Sequence, residues 1–431
     1  MVAAATRLRD QGTKVSPRAD QHVLAVMSSS VLSWHKVKIP HITAIIALLL
    51  AVSATAEVIT AKAEGAPPLD SASLVALLEE IRTKHDVPAL AGAIITEEGP
   101  VLVEVAGVRK RGERTPAEKN DMFHLGSCTK AFTGWLAGWA VEKGMLRWDS
   151  TLGEVFPQES RRLPDKHKKI TLEQLVTHRS GITGDLPKGL DYWPRQSRPV
   201  VNGRETKKQR QDFVKTLGET PLQTEPGEVY AYCNSNQILA AAMVEEVSGK
   251  PWENLIDELL CCPLGMNETG QGPMVTRGGP ARQPYQHERN GSPAIAAPHA
   301  DNPEVLGPAG RLHMSLDSWG RFVAEILRGA RGKGTLLKQE TYDELLKPPG
   351  YNKGCWLSQG PDESGRASRL GHSGSNNVNY CTAEIYPGDN FAILVAANQG
   401  DSLPGAPGKS ACDELLNRME QMWRETNGAT E

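Results

Sequence analysis

Apolar residues recur along this chain in two spacings, and the switches between them mark its elements. Leu74, Leu77, Leu78 and Ile81 stand three and four apart, the stripe of a helix laid on a core, with Ser71 or Ser73 as its cap. Residues 90–96 and 101–108 are instead apolar and β-branched, and Glu97-Glu98-Gly99-Pro100 between them reads as a hairpin turn. Helical spacing resumes at Ser127 and runs through Trp135, Leu136, Trp139 and Ala140 to Gly144. From about 145 to 345 the pattern is one of helices and loops. There, 237–247 is alanine-rich and closes at Gly249, and Ser315 caps a helix through Trp319, Phe322, Ile326 and Leu327 to Gly329. Strands return at 379–385 and 391–397 around Pro387-Gly388-Asp389-Asn390, and Ser410 caps a closing helix through Leu415, Met419 and Met422.

Strands thus come from both ends of the chain with helices between them, and alternating βαβ units are absent. This predicts an α+β fold, an antiparallel sheet flanked by helices plus an inserted mainly helical lobe, and excludes a doubly wound parallel sheet. The expected divisions are an extension with a signal segment at 1–56, a linker at 57–69 and one domain at 70–425. Within that domain the sheet lobe takes about 70–126 and 346–425, and the helical lobe about 127–345. A site is expected in the cleft between the lobes. The Pro-, Gly- and polar-rich stretches 184–206 and 270–303 read as surface excursions.

Of the 431 residues, 39% are hydrophobic and 23% charged, with a net charge of -3, which fits a globular chain and gives no sign of a nucleic-acid partner. The cluster Lys207-Lys208-Gln209-Arg210 reads as a solvated helix face. The apolar run 42–52 follows Lys36 and Lys38 and precedes Ala54-Thr55-Ala56, the layout of a secretory signal cleaved after Ala56, with Met27 as a possible true start. It is short for a membrane span of ~20 residues. The chain is therefore expected to be exported, periplasmic or extracellular, with no stable membrane partner unless that segment is retained. Seven scattered cysteines, an odd number, do not make a disulfide scaffold, and no Cys/His spacing suggests a metal site. Cys261-Cys262, at a helix end, read as buried small apolar residues.

Three short patterns follow one another at wide spacing: Ser127-Cys128-Thr129-Lys130, Tyr232-Cys233-Asn234 and His372-Ser373-Gly374. Singly they are weak, since Ser-x-x-Lys recurs from Ser33 to Lys36 and His-x-Gly at His124-Leu125-Gly126. Tyr-x-Asn occurs once, after Pro226-Gly227 and before a helix. Ser127 and Lys130, three apart on one helix face, suit a nucleophile and its base, and a helix start favours the developing negative charge. Lys130 must then be neutral at least transiently, which burial or a second cation can arrange. The same residues also fit a capping serine with a solvent-facing lysine. Tyr232 is a candidate second proton carrier if nearby cations favour its phenolate, or else a tyrosine packed on a loop. Asn234 is a candidate to orient Lys130 and hold a substrate carbonyl. His372-Ser373-Gly374 is expected on an edge strand beside the cleft, Gly374 letting substrate backbone approach, with the N–H groups of Ser127 and Ser375 as oxyanion donors.

In this order the patterns resemble the serine β-lactamase and penicillin-binding protein superfamily, in its class C β-lactamase and D,D-carboxypeptidase branch with related esterases and D-aminopeptidases. The resemblance covers roughly 70–425. It extends to Leu175-Val176-Thr177-His178-Arg179-Ser180-Gly181, Pro263-Leu264-Gly265-Met266 and Gly307-Pro308-Ala309-Gly310. It implies a β-lactamase/transpeptidase-like fold, a Ser127 acyl-enzyme, Lys130 and Tyr232 as the acid/base pair, and hydrolysis by water without cofactor. Substrate contacts would come from Asn234, His372, Gly374 and Ser375. The implied substrate is an ester, a D-amino-acid peptide or amide, or a β-lactam, either a small molecule or peptidoglycan-derived.

Two residues depart from the pattern. His372 stands where class C β-lactamases usually carry lysine, and a histidine anchors a carboxylate less dependably. Cys233 stands where serine or alanine is common, and with Cys128 it is expected to pack. The alternatives are a catalytically silent binding or sensor module of the same fold, which would be expected to lack one of Ser127, Lys130 or Tyr232, and a cysteine hydrolase using Cys128.

Overall fold

Strand-forming residues from the two ends of the chain meet in one sheet. The computed structural model describes residues 69–183, 204–272, 274, 282–294 and 301–427, which belong to a unit spanning Gly65–Glu431. The run 42–52, cleavage after Ala56 and the excursion at 184–203 lie outside the described residues. The strands are β1 (Ala89–Thr96), β2 (Gly99–Gly107), β3 (Phe123–His124), β4 (Thr269–Gln271) and β5 (Leu312–Met314), then β6 (Gly350–Tyr351), β7 (Leu357–Ser358), β8 (Leu370–Ser375), β9 (Tyr380–Tyr386) and β10 (Phe391–Ala397). Seven form an antiparallel sheet in the order β2-β1-β10-β9-β8-β7-β6, and β3-β5-β4 form a small second sheet. β1 thus pairs with β10, with Ala93 opposite Leu394.

Both faces of the large sheet are covered, which is why β1 and β10 are apolar almost throughout rather than alternating with polar residues. On one face Leu90, Ile94, Ile393 and Val395 pack with Leu74 and Leu78 of the helix Ser71–Lys84 and with Leu415 and Met419 of the helix Pro407–Asn427. On the other, Ala91, Ala93, Ile95 and Leu394 share a core with Trp319 and Phe322 of the helix Leu316–Ala330. A one-residue slip would exchange the two sets of side chains and press the larger ones of one face onto the helix packed against the other, so the fit on each face fixes the register. Each fully buried Leu, Ile or Phe side chain contributes about 2 kcal/mol to holding the sheet against its helices.

Several boundaries differ from the pattern's expectation. Asp70, not Ser71 or Ser73, caps the first helix, with Ser73 as the reciprocal member of its capping box. The closing helix starts at Pro407, so Ser410 lies inside its first turn. The α-helix expected from Ser127 begins as a 3₁₀ turn, Gly126–Thr129, and becomes α-helical at Lys130. The helix Leu316–Ala330, assigned by sequence to the helical lobe, lies against β1, β2 and β10 of the sheet.

Burial also corrects three readings of polar segments. Arg210 is fully buried in the helix Arg204–Thr216, which begins inside the expected excursion, and its guanidinium donates to Glu245 at 2.6 Å and to Glu253 at 2.8 Å. Burial alone would lower its pKa, but those two carboxylates raise it. Arg210 therefore leaves the solvated face to its neighbours, with Lys208 exposed and Lys207 and Gln209 half-buried, and is a buried cation held by two partners far along the chain. Within 270–303, β4 forms a strand, and Gln286, His287, Asp301 and Asn302 are buried. Cys261 is buried but Cys262 is exposed.

Candidate active site

The 3₁₀ turn sets the first contact. In such a turn residues three apart eclipse each other, and Lys130 Nζ donates to Ser127 Oγ at 2.9 Å. The amine donates also to the carbonyl of Ala309, at 2.7 Å, and Lys130 is fully buried. A capping serine with a solvent-facing lysine is thereby excluded. Ala309 lies in the buried turn Gly307–Gly310, whose Pro308 carbonyl accepts from Thr133 Oγ1 at 2.7 Å on the nucleophile's helix. The Gly-Pro-Ala-Gly run thus supplies an acceptor to the base, a role that the resemblance did not specify.

Tyr232 reaches the same hydroxyl, hydrogen-bonding with Ser127, while Lys130 Nζ lies 4.9 Å from its ring centroid. Although 42% of the residue faces the open cleft, the phenol oxygen sits deep among protein atoms. Burial pushes its pKa up, with the Ser127 hydrogen bond only partly opposing. Burial therefore favours the phenol over the phenolate that the sequence made conditional on nearby cations, and Tyr232 holds its proton at rest. Asn234 is half-buried at the first position of the helix Asn234–Ser248, two residues on from Tyr232.

The third motif faces the nucleophile turn across a contact with no spare room. A Cβ on Gly374 would fall 1.9 Å from the Leu125 carbonyl oxygen and 2.8 Å from Ser127 N, and one on Gly126 (φ +47°) would fall 2.3 Å from Ser375 N. Gly374 therefore admits the chain's own nucleophile turn. The same approach brings together the two segments that carry the Ser127 and Ser375 amides. β8 is not the sheet edge, since β7 lies outside it, but β7 pairs only with Leu370 and Gly371. That leaves His372–Ser375 bordering the cleft.

Two residues that sequence reasoning did not assign to the site complete its wall. Tyr351 on β6 meets His372 Nε2 through its hydroxyl at 3.0 Å. His372 Nδ1 lies 2.7 Å from the carbonyl oxygen of Ser373, so Nδ1 carries the proton and Nε2 accepts from Tyr351 when the ring is neutral. His178, in the Thr-His-Arg-Ser-Gly segment, is fully buried, and its Nδ1 accepts from the Cys233 amide at 3.2 Å. Its ring packs 4.5 Å from that of Tyr232 and 4.8 Å from that of Tyr351. Burial, then the charges of Lys130 and His372, hold its pKa well below that of a free histidine, so it is a neutral support beneath the tyrosine. The quoted segment was the one available signal for His178. Tyr351 stands in no motif.

Cys128 and Cys233 are buried, and burial raises the Cys128 thiol pKa. Cys128 is 1% exposed, and its Sγ contacts Cys381 Sγ at 3.7 Å and donates to the His372 carbonyl at 3.3 Å, which removes it as a nucleophile. Beside Ser127 opens a cleft of about 520 Å³, lined by Tyr230, Tyr232, Tyr351, Leu357 and His372 and running over β8 to Thr382 and Glu384. Arg369, also in its lining, donates through Nε to Glu384 at 2.7 Å.

Known proteins resemble this chain in sequence and in fold. A family model described as Beta-lactamase matches residues 74–412. Penicillin-binding protein 4 of Amycolatopsis lactamdurans is 23% identical over 351 residues, covering 77% of this chain and 86% of that protein. Esterase EstB of Burkholderia gladioli is 29% identical over 217 residues, covering 47% of this chain and 53% of the esterase. The structure of a D-amino acid amidase from Ochrobactrum anthropi SV3, complexed with L-phenylalanine, superposes with a TM-score of 0.64 at 16% identity, over 83% of this chain and 100% of that one, which shows the shared β-lactamase/transpeptidase fold.

Proposed function

The chain belongs to the beta-lactamase family, and on that premise we propose that it is an exported serine hydrolase that forms a Ser127 acyl-enzyme on carboxylate-free esters or aminoacyl amides in preference to β-lactams. The observation that carries the chemistry is the 2.9 Å contact from Lys130 Nζ to a serine hydroxyl that Tyr232 also meets. In its neutral form Lys130 takes the hydroxyl proton as Ser127 Oγ attacks the substrate carbonyl. The N–H groups of Ser127 and Ser375 hold the oxyanion, and Tyr232, which keeps its proton at rest, gives it to the leaving oxygen or nitrogen. Proton return from Lys130 to Tyr232 resets the pair, and water releases the acyl group by the reverse sequence.

The substrate preference rests on charge. Both ring nitrogens of His372 are already hydrogen-bonded, and Arg369 is paired with Glu384. A substrate carboxylate, such as β-lactams and D-alanyl-D-alanine peptides carry, meets no uncommitted cation at either residue. The relatives named as an esterase and a D-amino acid amidase favour the same reading. Export rests on the lysine-flanked run 42–52 and on Ala54-Thr55-Ala56; N-terminal sequencing of secreted protein checks cleavage after Ala56. The activity test is steady-state turnover of p-nitrophenyl acetate, D-phenylalaninamide and benzylpenicillin by the parent and by Ser127→Ala. Ser127-dependent turnover with the two carboxylate-free substrates ahead by about tenfold or more in kcat/KM is the expected result. Benzylpenicillin as the best of the three would overturn the preference, and undiminished turnover by Ser127→Ala would overturn the mechanism.

A further inference from the structure

Behind the nucleophile lies a buried polar group for which the mechanism above has no use. His124, on β3, is 1% exposed, and its Nδ1 accepts the backbone N–H of Gly126 at 3.0 Å. With Nδ1 accepting, the proton of the neutral ring sits on Nε2, which lies 2.9 Å from Asp301 Oδ1. This second contact is close but bent away from ideal hydrogen-bond geometry, so its attraction is electrostatic first. Burial would raise the Asp301 pKa, but His124, Arg311 and the Asn302 amide together hold it below the usual value, and it is a carboxylate.

Asp301 and its neighbour reach the other parts of the site as well. Asp301 Oδ1 accepts from Asn376 Nδ2 at 3.3 Å, and Asn376 adjoins Ser375, whose amide is an oxyanion donor. The same Asn376 Nδ2 donates also to Gln286 Oε1, at 2.5 Å. Asn302 Nδ2 donates to the Gly310 carbonyl at 2.9 Å, one residue beyond the Ala309 carbonyl that receives Lys130. Three segments that must keep ångström-level register for acyl transfer therefore converge on two adjacent buried residues. A displacement of about 1 Å at such a site can lower a rate by roughly 10²-fold.

We propose that His124 and Asp301 are positioning residues that hold the two sides of the oxyanion hole, the Ser127 turn and the Ser375 strand end, in register. The inference rests on the serine-hydrolase reading above. Asp301 orients His124, His124 fixes the Gly126 amide and so the turn that presents Ser127 N–H, and Asn376 ties Ser375 to the same carboxylate. Neither residue contacts the reacting atoms.

The test uses the full chain with His124→Asn, His124→Gln and the near-isosteric Asp301→Asn. Active sites are titrated with a p-nitrophenyl phosphonate, and kcat and KM per titrated site are measured for a p-nitrophenyl ester and its thionoester. Sulfur is the poorer hydrogen-bond acceptor, so the ester-over-thionoester preference reports on the hole itself. The expected result is a fall in kcat per titrated site of about tenfold or more, with KM changed less than about twofold and a reduced ester preference. His124→Asn, which keeps an acceptor near the position of Nδ1, should retain more activity than His124→Gln. If the folded variants lose only thermal stability or titratable fraction, with turnover per site and ester preference unchanged, the pair is merely structural and the proposal fails. Should the His124 variants not fold, the same readout on Asp301→Asn decides it. A parent enzyme that the phosphonate does not label at Ser127 would overturn the underlying reading, and the proposal with it.

Discussion

Ser127 sits on a turn whose other members, Gly126, Cys128 and Thr129, are all buried, Lys130 follows it directly and is buried too, and a single carbon added at Gly374 would fall 1.9 Å from a carbonyl oxygen. On the same cleft Tyr230 and Leu357 expose 44% and 58% of their surface. The floor of the site is over-determined: each catalytic side chain is held by contacts from several parts of the chain. The rim is a set of apolar side chains with room to change. The difference teaches that the reaction type, and with it the lack of a free cation for a carboxylate at His372 and Arg369, is fixed where side chains are held, and that the fit to a substrate's apolar part lies where the fold constrains residues least.

The largest effect should come from breaking the floor's chemistry while keeping its volume. Lys130→Met should lower kcat/KM by about 10²–10⁴-fold with little change in KM, the loss typical of a removed general base. Steady-state kinetics on a p-nitrophenyl ester checks it, and a loss under tenfold would remove Lys130 from the role. Next comes Gly374→Ala, which leaves every catalytic group in place but forces the strand and the nucleophile turn apart. We expect roughly a 10²-fold fall in kcat together with a lower Tm; unchanged values of both would mean that the close approach is dispensable.

Acid should reach the floor's surroundings through two buried histidines. Burial depresses His287 and His313 from 6.5 to about 4. Their neutral forms therefore contribute stability that is fully present above about pH 6.5 and is lost as pH falls through about 4. Tm measured from pH 7 to pH 4 should fall steadily, and His287→Asn and His313→Asn should each flatten the slope. The smallest effect belongs to the rim: Leu357→Ala should change KM by about two- to fivefold for substrates with a bulky apolar acyl group and leave kcat for p-nitrophenyl acetate within twofold. A collapse of kcat there would erase the distinction between floor and rim.

The floor's key residues were legible because local spacing places them. Ser127 and Lys130 need only one turn of backbone, and the strands at 391–397 and 379–385 are apolar-rich runs set off by the turn residues between them, which the structure reproduces to within about a residue. What escaped the sequence depends on distant partners. Arg210 finds Glu245 and Glu253 in other helices, and nothing in its own basic neighbourhood separates it from a surface residue. Tyr351 reaches His372 from a two-residue strand too short to show periodicity. Asp301 sits in a Pro- and Gly-rich stretch whose composition says loop, while its charge is committed to His124 and Arg311 in the interior. Gly374 was correctly singled out, but what it admits is set by the tertiary contact with Leu125, which no local pattern carries.

Rapid-quench intact-mass analysis tests the central claim most directly: the parent and Ser127→Ala are mixed with an activated ester such as p-nitrophenyl butyrate, and any adduct is located by peptide mapping. A transient acyl adduct on the peptide containing Ser127, formed and lost at rates that account for turnover and absent from Ser127→Ala, is the expected result. Turnover that persists in Ser127→Ala, or an adduct that maps to another residue, would contradict the account.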